Sequence, residues 1–178
     1  MKLLSLLALT LTAFLFAEVQ SVKIAALEDF EHRFESKLGQ TPGPFPFEVL
    51  STTPAIYVPG VGVALSNVVS LAYVDPPSPF RGPFTPKELA AIHDRKLQRL
   101  PILELSMREV MADTASAAGF DPVPPTERVV LGVTLFYYTW EDSSGLPRQI
   151  VMSAEKQKLQ AARRSKADPA TVIQEQKL

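Results

Sequence analysis

The sequence predicts an α+β fold: an antiparallel sheet of about four strands, formed by two hairpins, packs against helices in the order α-ββ-α-ββ-α. Three observations support this prediction. Segments with apolar residues every three or four positions are followed by segments that alternate at period two. Turn-forming residues separate the strands within each pair. The 16 prolines cluster in the connections between these segments.

Residues 22–38 are predicted to form an amphipathic helix, because their apolar side chains recur at steps of three and four. These side chains are Ile24, Leu27, Phe30, Phe34 and Leu38. Gly39 follows at the position where glycine commonly ends a helix. Pro42, Pro44 and Pro46 then exclude helix and predict an extended linker.

The first hairpin is predicted to pair residues 48–58 with residues 62–74 across a turn at Pro59–Gly62. Its second strand alternates large and small side chains. The large face has Val63, Leu65, Val69, Leu71 and Tyr73, and the small face has Ala64, Ser66, Ser70 and Ala72. The large face is expected to pack in the hydrophobic core, whereas the small face allows close approach of another element. Asn67 interrupts the large face, so we expect it near a strand end or paired.

The middle helix is predicted to begin at Thr85, which forms a capping box with Glu88 and is followed by Pro86 in the first turn. Apolar spacing continues through Pro101 to about residue 114. Because proline removes a backbone donor inside a helix, we expect one kinked helix or two helices in near succession.

Residues 128–141 alternate apolar side chains on both faces, which predicts a central strand covered on both sides for part of its length. A turn at 142–145 and a return strand at 148–153 complete the second hairpin. A lysine-rich helix follows at 154–166, and residues 167–178 are expected to form a flexible C-terminal tail. Both hairpin–helix units contain Lys-Leu-Gln, but three matched residues are within chance and do not establish a duplication.

Residues 1–21 have the features of a cleavable secretory signal peptide. Lys2 precedes an apolar run of 14 residues, Leu3–Phe16, whereas a helix that spans a bilayer needs about 20. Cleavage is predicted after Ser21 or after Ala17. An uncleaved membrane anchor is the alternative.

The composition narrows the class of protein to which the exported domain belongs. The chain has no cysteine, so it has no disulfide framework and no cysteine for lipid attachment, and a hydrophobic core must supply its stability. Residues 22–166 are long enough for one such core and are predicted to be a single periplasmic or secreted domain. The net charge of −1 gives no general attraction for nucleic acid or for an anionic membrane, and no integral membrane span is predicted after cleavage.

Ser153 and Lys156 are the candidate catalytic residues, because Ser153-Ala-Glu-Lys156 has the S-x-x-K spacing of serine acyl enzymes. In that spacing a lysine one helical turn away can act as the base for the serine nucleophile. The S-D-N and K-T-G elements of those enzymes do not occur in the chain. The alternative is structural, since serine is also a favoured helix N-cap residue.

Tyr138 and Trp140 are the candidate binding residues, because aromatic side chains at a strand end often anchor partners. Packing against the sheet is the alternative. No metal site and no cofactor are predicted, since His32 and His93 are far apart in sequence and no cysteine or H-x-x-x-H pair accompanies them. The cations of the last helix could contact a cell-wall polymer, with a solvated helix face as the alternative.

These observations together favour an exported, non-enzymatic binding or interaction module of the cell envelope. Its partner would be an envelope protein or a cell-wall polymer, contacted through the small-residue face of the second strand or through the aromatic strand. The alternative function is a small envelope serine hydrolase that uses Ser153 and Lys156.

Overall fold

The computed structural model describes residues 22–41, 46–75 and 82–178. These residues form three α-helices, five β-strands and two short 3-10 helices. The predicted signal peptide and both of its cleavage sites lie outside the described residues, as do parts of the two proline-rich connections.

The five strands lie side by side in the order β1-β2-β3-β4-β5. Their bounds are Glu48–Val58 (β1), Gly62–Ser70 (β2), Arg128–Leu135 (β3), Gln149–Glu155 (β4) and Gln174–Lys177 (β5). The two predicted hairpins are present, since β1 pairs with β2 and β3 pairs with β4 in antiparallel register. β5 adds antiparallel to β4, whereas β2 and β3 pair in parallel.

Three helices connect and cover these strands. They are α1 (Ile24–Gly39), α2 (Pro86–Ala115) and α3 (Lys156–Ser165). The predicted capping box starts α2: the hydroxyl of Thr85 accepts from the N–H of Glu88, and Glu88 Oε2 accepts from the N–H of Thr85 at 2.8 Å. The helix then runs through Pro101 for 30 residues in all, so it is one helix and not two.

All three helices lie on the same face of the sheet. α1 contacts β1 and α2, α2 contacts β3 and α3, and α3 contacts β4. Their buried apolar side chains form a single core with one face of the sheet, which includes Phe30, Phe34, Leu65, Met107, Leu131 and Met152. In the part of the chain that the structure describes, no helix covers the opposite face of the sheet.

The predicted α+β class is confirmed, but the predicted sheet is only partly correct. The sheet is mixed and not fully antiparallel, because the two hairpins join through the parallel pair of β2 and β3. A 30-residue helix carries the chain back along the sheet between these strands, so β3 enters in the same direction as β2. Residues 167–178, predicted to be a flexible tail, instead contain a short 3-10 helix and supply the fifth strand.

Two local predictions also differ from the structure. The strand predicted at 128–141 ends at Leu135, and residues 136–148 form an irregular connection to β4. Asn67 lies within β2 and is 1% exposed, and neither polar atom of its amide has a hydrogen-bond partner. We expected this residue near a strand end or paired; an unpaired buried amide instead destabilises the core.

Gly62 allows β2 and β3 to approach, and its replacement tests this close contact. Its φ is +131°, and a Cβ at this position would lie 1.9 Å from the carbonyl oxygen of Arg128. We expect Gly62→Ala to lower the free energy of unfolding by about 3 kcal/mol or more in urea denaturation. Gly60 is the matched control, because its φ of +81° is also positive but it has open space around it. Gly60→Ala should lose only about 1 kcal/mol, and equal losses would contradict the steric explanation.

Candidate functional site

Ser153 lies on β4, and its side chain points to the sheet face that no helix covers. Its neighbours Met152 and Ala154 are buried, so strand alternation places Ser153 on the face opposite to both of them. Its hydroxyl oxygen accepts a hydrogen bond of 2.7 Å from Nη2 of Arg128, which also donates to Oε1 of Gln174 at 2.6 Å. The predicted nucleophile is therefore part of a row of polar side chains across three strands.

Lys156 is the first residue of α3, and its side chain is 4% exposed on the helix side of the sheet. Nζ donates to the carbonyl oxygens of Phe120 and Val123 at 2.7 Å each, and to that of Asp121 at 3.4 Å. Burial lowers the pKa of Lys156, and the charge of Asp121 opposes this shift. Among the hydrogen bonds of these described residues, none joins Lys156 to Ser153. The ammonium group instead holds the 3-10 turn that contains Phe120 against α3.

Tyr138 and Trp140 lie in the connection between β3 and β4, within a cluster of four aromatic rings. Their rings stack with centroids 5.1 Å apart and an interplanar angle of 9°. The ring of Phe84 lies 4.7 Å from that of Trp140, and Phe136 meets Tyr138 edge-on at 4.9 Å. The structure thus brings the two predicted binding residues together. Part of their ring surface is used to pack the segment before α2 onto this connection.

A cleft of about 300 Å³ adjoins the aromatic cluster at Phe84. Tyr73, Asp75 and Ile92 are also among the residues that line it. The hydroxyl of Tyr73 donates to Oδ1 of Asp75 at 2.8 Å, and this hydrogen bond raises the pKa of Tyr73. The volume of the cleft lies at the lower limit of small-molecule sites, which range from about 300 to 1,000 Å³.

A buried ion pair between Lys96 of α2 and Glu141 of the β3–β4 connection was not predicted from the sequence. Lys96 Nζ lies 2.5 Å from Glu141 Oε2, and both side chains are 1% exposed. The same carboxylate oxygen accepts from the N–H of Tyr138 at 3.2 Å. The available sequence signal was a lysine at an apolar position in the periodicity of α2. Because each buried charge depends on the other, the pair holds the aromatic connection on the helix.

Further polar contacts hold the β3–β4 connection and the segment after β2 in place. Burial, followed by the charge of Glu141, raises the pKa of Tyr137 to about 12, and its hydroxyl donates to the carbonyl oxygen of Pro147 at 2.8 Å. Nε of Arg99 donates to the carbonyl oxygen of Leu71, just beyond β2, at 2.6 Å. Charged side chains of α2 therefore position the segments that follow both β2 and β3.

The cations of α3 are partly neutralised within the chain. Lys158 Nζ lies 2.7 Å from Glu155, and Arg163 forms an ion pair with Asp113 of α2. These pairs reduce the cationic face that contact with a cell-wall polymer would use. Within the described residues, no group of three or more histidine, aspartate or glutamate side chains is arranged to hold a metal ion.

The sheet face without a helix carries three rows of uncharged side chains, which we call the open face. Each row consists of residues paired across neighbouring strands, which share a face of the sheet. The first row is Ile56, Ala64, Val130, Ser153 and Gln174; the second is Thr53, Ser66, Gly132, Val151 and Gln176; the third is Ser51, Val68, Thr134 and Gln149. Ala64 and Ser66 of the predicted small-residue face belong to the open face.

Charged residues flank the three rows at both ends. Beyond the third row, Glu48 of β1 pairs with Ser70 of β2. Beyond the first row, Arg128 of β3 pairs with Glu155 of β4. At the same end the β1 side is apolar, since Ile56 is 54% exposed and Val58 is 43% exposed. The open face is thus a band of uncharged residues with an apolar margin, charged residues beyond both ends and the Arg128 guanidinium against its first row.

The two edges of the sheet are protected against pairing with another strand. At β1, Glu31 Oε1 accepts the N–H of Ala55 at 2.7 Å, directly after Pro54. At the other edge, β5 has four residues and includes Lys177. Proline, short length and charge all discourage strand addition. The open face is therefore the part of the sheet that is better suited to contact a partner.

Comparison of the chain with protein-family models, with curated proteins and with solved structures finds no match. Across residues 22–41, 46–75 and 82–178, no helix is both long enough and apolar enough to cross a bilayer.

Replacement of Lys156 and Ser153 separates a structural role from a catalytic one. Lys156→Met leaves buried carbonyl oxygens without a donor, so we expect it to lower the free energy of unfolding by about 2 kcal/mol. Ser153→Ala lies on the open face and should change this quantity by less than about 0.5 kcal/mol. A fluorophosphonate probe should leave Ser153 unlabelled. Labelling of Ser153 that disappears in Lys156→Met would instead support the hydrolase.

The buried ion pair can be tested by a double-mutant cycle in urea denaturation. Lys96→Met leaves the carboxylate of Glu141 buried without its partner and should lower the free energy of unfolding by about 3–5 kcal/mol. The double variant Lys96→Met/Glu141→Leu should be more stable than Lys96→Met alone, because no unpaired charge remains. Arg163→Met breaks an exposed pair with Asp113 and should change stability little. A similarly small loss for Lys96→Met would show that the buried pair does not hold the connection.

Proposed function

We propose that this chain is an exported, non-enzymatic interaction module of the cell envelope, and that the open face is its binding surface. The observation that carries the proposal is a face of the five-stranded sheet that has three rows of uncharged residues and that no helix covers among the described residues. Centres of protein interfaces are depleted in charged side chains, whereas solvent-facing sheet surfaces usually carry them.

The chemistry of the open face favours a protein partner. Its three rows offer methyl groups, hydroxyls and amides. The guanidinium of Arg128, which reaches the first row, is already hydrogen-bonded to Ser153 and Gln174, so a polyanionic polymer would find little counter-charge there. Another protein surface can match both the small side chains at the centre and the exposed Ile56 and Val58 at the margin.

The export part of the proposal is supported by the sequence. Lys2 and the short apolar run Leu3–Phe16 have the order and the length of a signal peptide. A cysteine-free domain that relies on a hydrophobic core is compatible with an oxidising compartment.

Position-specific photo-crosslinking in the cells that produce the protein tests the binding surface. A photo-reactive amino acid is introduced at Val151 or at Thr134, both on the open face, in the full-length chain. We expect irradiation to produce covalent protein adducts from these two positions. The same amino acid at Gln98, which is exposed on α2, is the control and should produce none.

Absence of adducts at Val151 and Thr134, or equal adducts at Gln98, would contradict the proposed surface. Mass spectrometry of the same material also reports the N-terminus. Intact Met1 on cytosolic protein would contradict export.

A further inference from the structure

We propose that β5 is a releasable cover for the edge of β4, held in place by a ring of four charged side chains and not by the hydrophobic core. The ring consists of Glu104 and Arg108 of α2 and of Glu175 and Lys177 of β5, and we call it the charge ring. This inference concerns a conformational change at the sheet edge and does not depend on the proposed binding surface.

β5 has no apolar side chain that anchors it. The positions of β5 that face the helices are Glu175 and Lys177, because they pair with the buried residues Met152 and Ile150 of β4. Among the described residues, the hydrophobic core includes side chains of the other four strands but none of β5. Release of β5 would therefore remove none of its own side chains from the core, which places this strand among the locally least stable parts of the sheet.

The charge ring joins β5 to α2 through contacts between opposite charges. Nη2 of Arg108 donates to Oε2 of Glu175 at 2.7 Å, and Nζ of Lys177 lies 2.6 Å from Oε1 of Glu104. The ring closes through Lys177 and Glu175 at 3.2 Å and through Arg108 and Glu104 at 3.6 Å. Each member has two partners of opposite charge, so replacement of one member weakens two contacts.

The pKa values of the two β5 residues agree with this arrangement. Burial raises the pKa of Glu175, but the hydrogen bonds from Arg108 and Lys177 oppose it and the net shift is downward. The hydrogen bond with Glu104 raises the pKa of Lys177, against the effect of burial. Both residues are therefore charged near neutral pH. The four side chains are 10–43% exposed, so dissolved salt can screen the contacts between them.

The chain before β5 limits the release to the strand itself. Val172 and Ile173 pack against the hydrophobic core, after the short 3-10 helix Pro169–Thr171. Release would begin at Gln174, whose side chain accepts a hydrogen bond from Arg128 at 2.6 Å. The uncovered edge of β4 would then present unpaired N–H and C=O groups, which are the groups that pair with an added strand.

Two neighbouring amides of β4 report separately on its two edges. Gln149 and Leu178 exchange both of their backbone hydrogen bonds. Strand alternation therefore directs the N–H of Val151 to β5 as well, and directs the N–H of Met152 to β3. Exchange at Val151 thus follows the release of β5, whereas exchange at Met152 requires β3 and β4 to separate.

Amide hydrogen exchange measured by NMR, on the protein expressed from its full coding sequence, tests the release. The measured quantity is the ratio of the exchange rate at Val151 to that at Met152, each divided by its intrinsic rate. We expect a ratio of roughly ten or more in low salt, because β5 opens more easily than the rest of the sheet. About 1 M NaCl should raise this ratio roughly threefold, because it screens the charge ring.

Glu175→Gln removes one charge of the ring at almost constant side-chain shape. It should raise the exchange ratio roughly fivefold and reduce the effect of salt. Asp113→Asn is the matched control, because it removes a carboxylate of α2 that pairs with Arg163 outside the charge ring, and it should leave the ratio unchanged. Far-UV circular dichroism and the Tm show whether both variants fold, and the salt measurement on the unmodified chain needs neither variant.

Equal exchange at Val151 and Met152 in the unmodified chain would overturn the inference, because β5 would then separate from β4 only when the whole sheet unfolds. A ratio that neither salt nor Glu175→Gln changes would also overturn it, since the charge ring would then not hold the strand.

Discussion

The parallel pairing of β2 with β3 is the constraint on which the rest of the structure depends. To enter beside β2 in the same direction, the chain must return along the sheet, and α2 makes this return over 30 residues. α1 and α3 pack against α2 and the sheet, so the helix layer forms on one side. The open face is therefore a consequence of the topology, and its three rows carry uncharged residues.

Buried cations determine where the irregular segments lie against the sheet and the helices. Lys96 holds the β3–β4 connection through Glu141, Arg99 holds the segment after β2, and Lys156 holds the 3-10 turn before β3. Burial of each cation costs desolvation free energy, which is offset only when its hydrogen-bond or ion-pair partners are in place. A displaced segment would therefore leave a buried charge without a partner. Such contacts select one arrangement of segments that have no regular hydrogen-bond pattern of their own.

The same packing explains why Ser153 and Lys156 have different environments. Residues three positions apart share a face only within a helix. Here the helix begins at Lys156, so Ser153 still belongs to β4 and points to the open face. The aromatic pair Tyr138 and Trp140 is brought together, but it contacts other rings of the chain. The candidate binding site is consequently an extended surface, the open face, and not these single residues.

The sequence by itself determined the local elements: the buried stripe of α1, the capping box at Thr85, both hairpins and the α+β class, all of which follow from periodicity within one segment. Only the tertiary structure decided how the hairpins join, because alternation specifies the faces of a strand and not its neighbours. The polar strand Gln174–Lys177 has no apolar alternation and forms through hydrogen bonds to β4. The Lys96–Glu141 pair joins residues 45 positions apart, which meet only when α2 lies across the β3–β4 connection. Contacts of this kind depend on burial over the whole chain, and no local pattern encodes them.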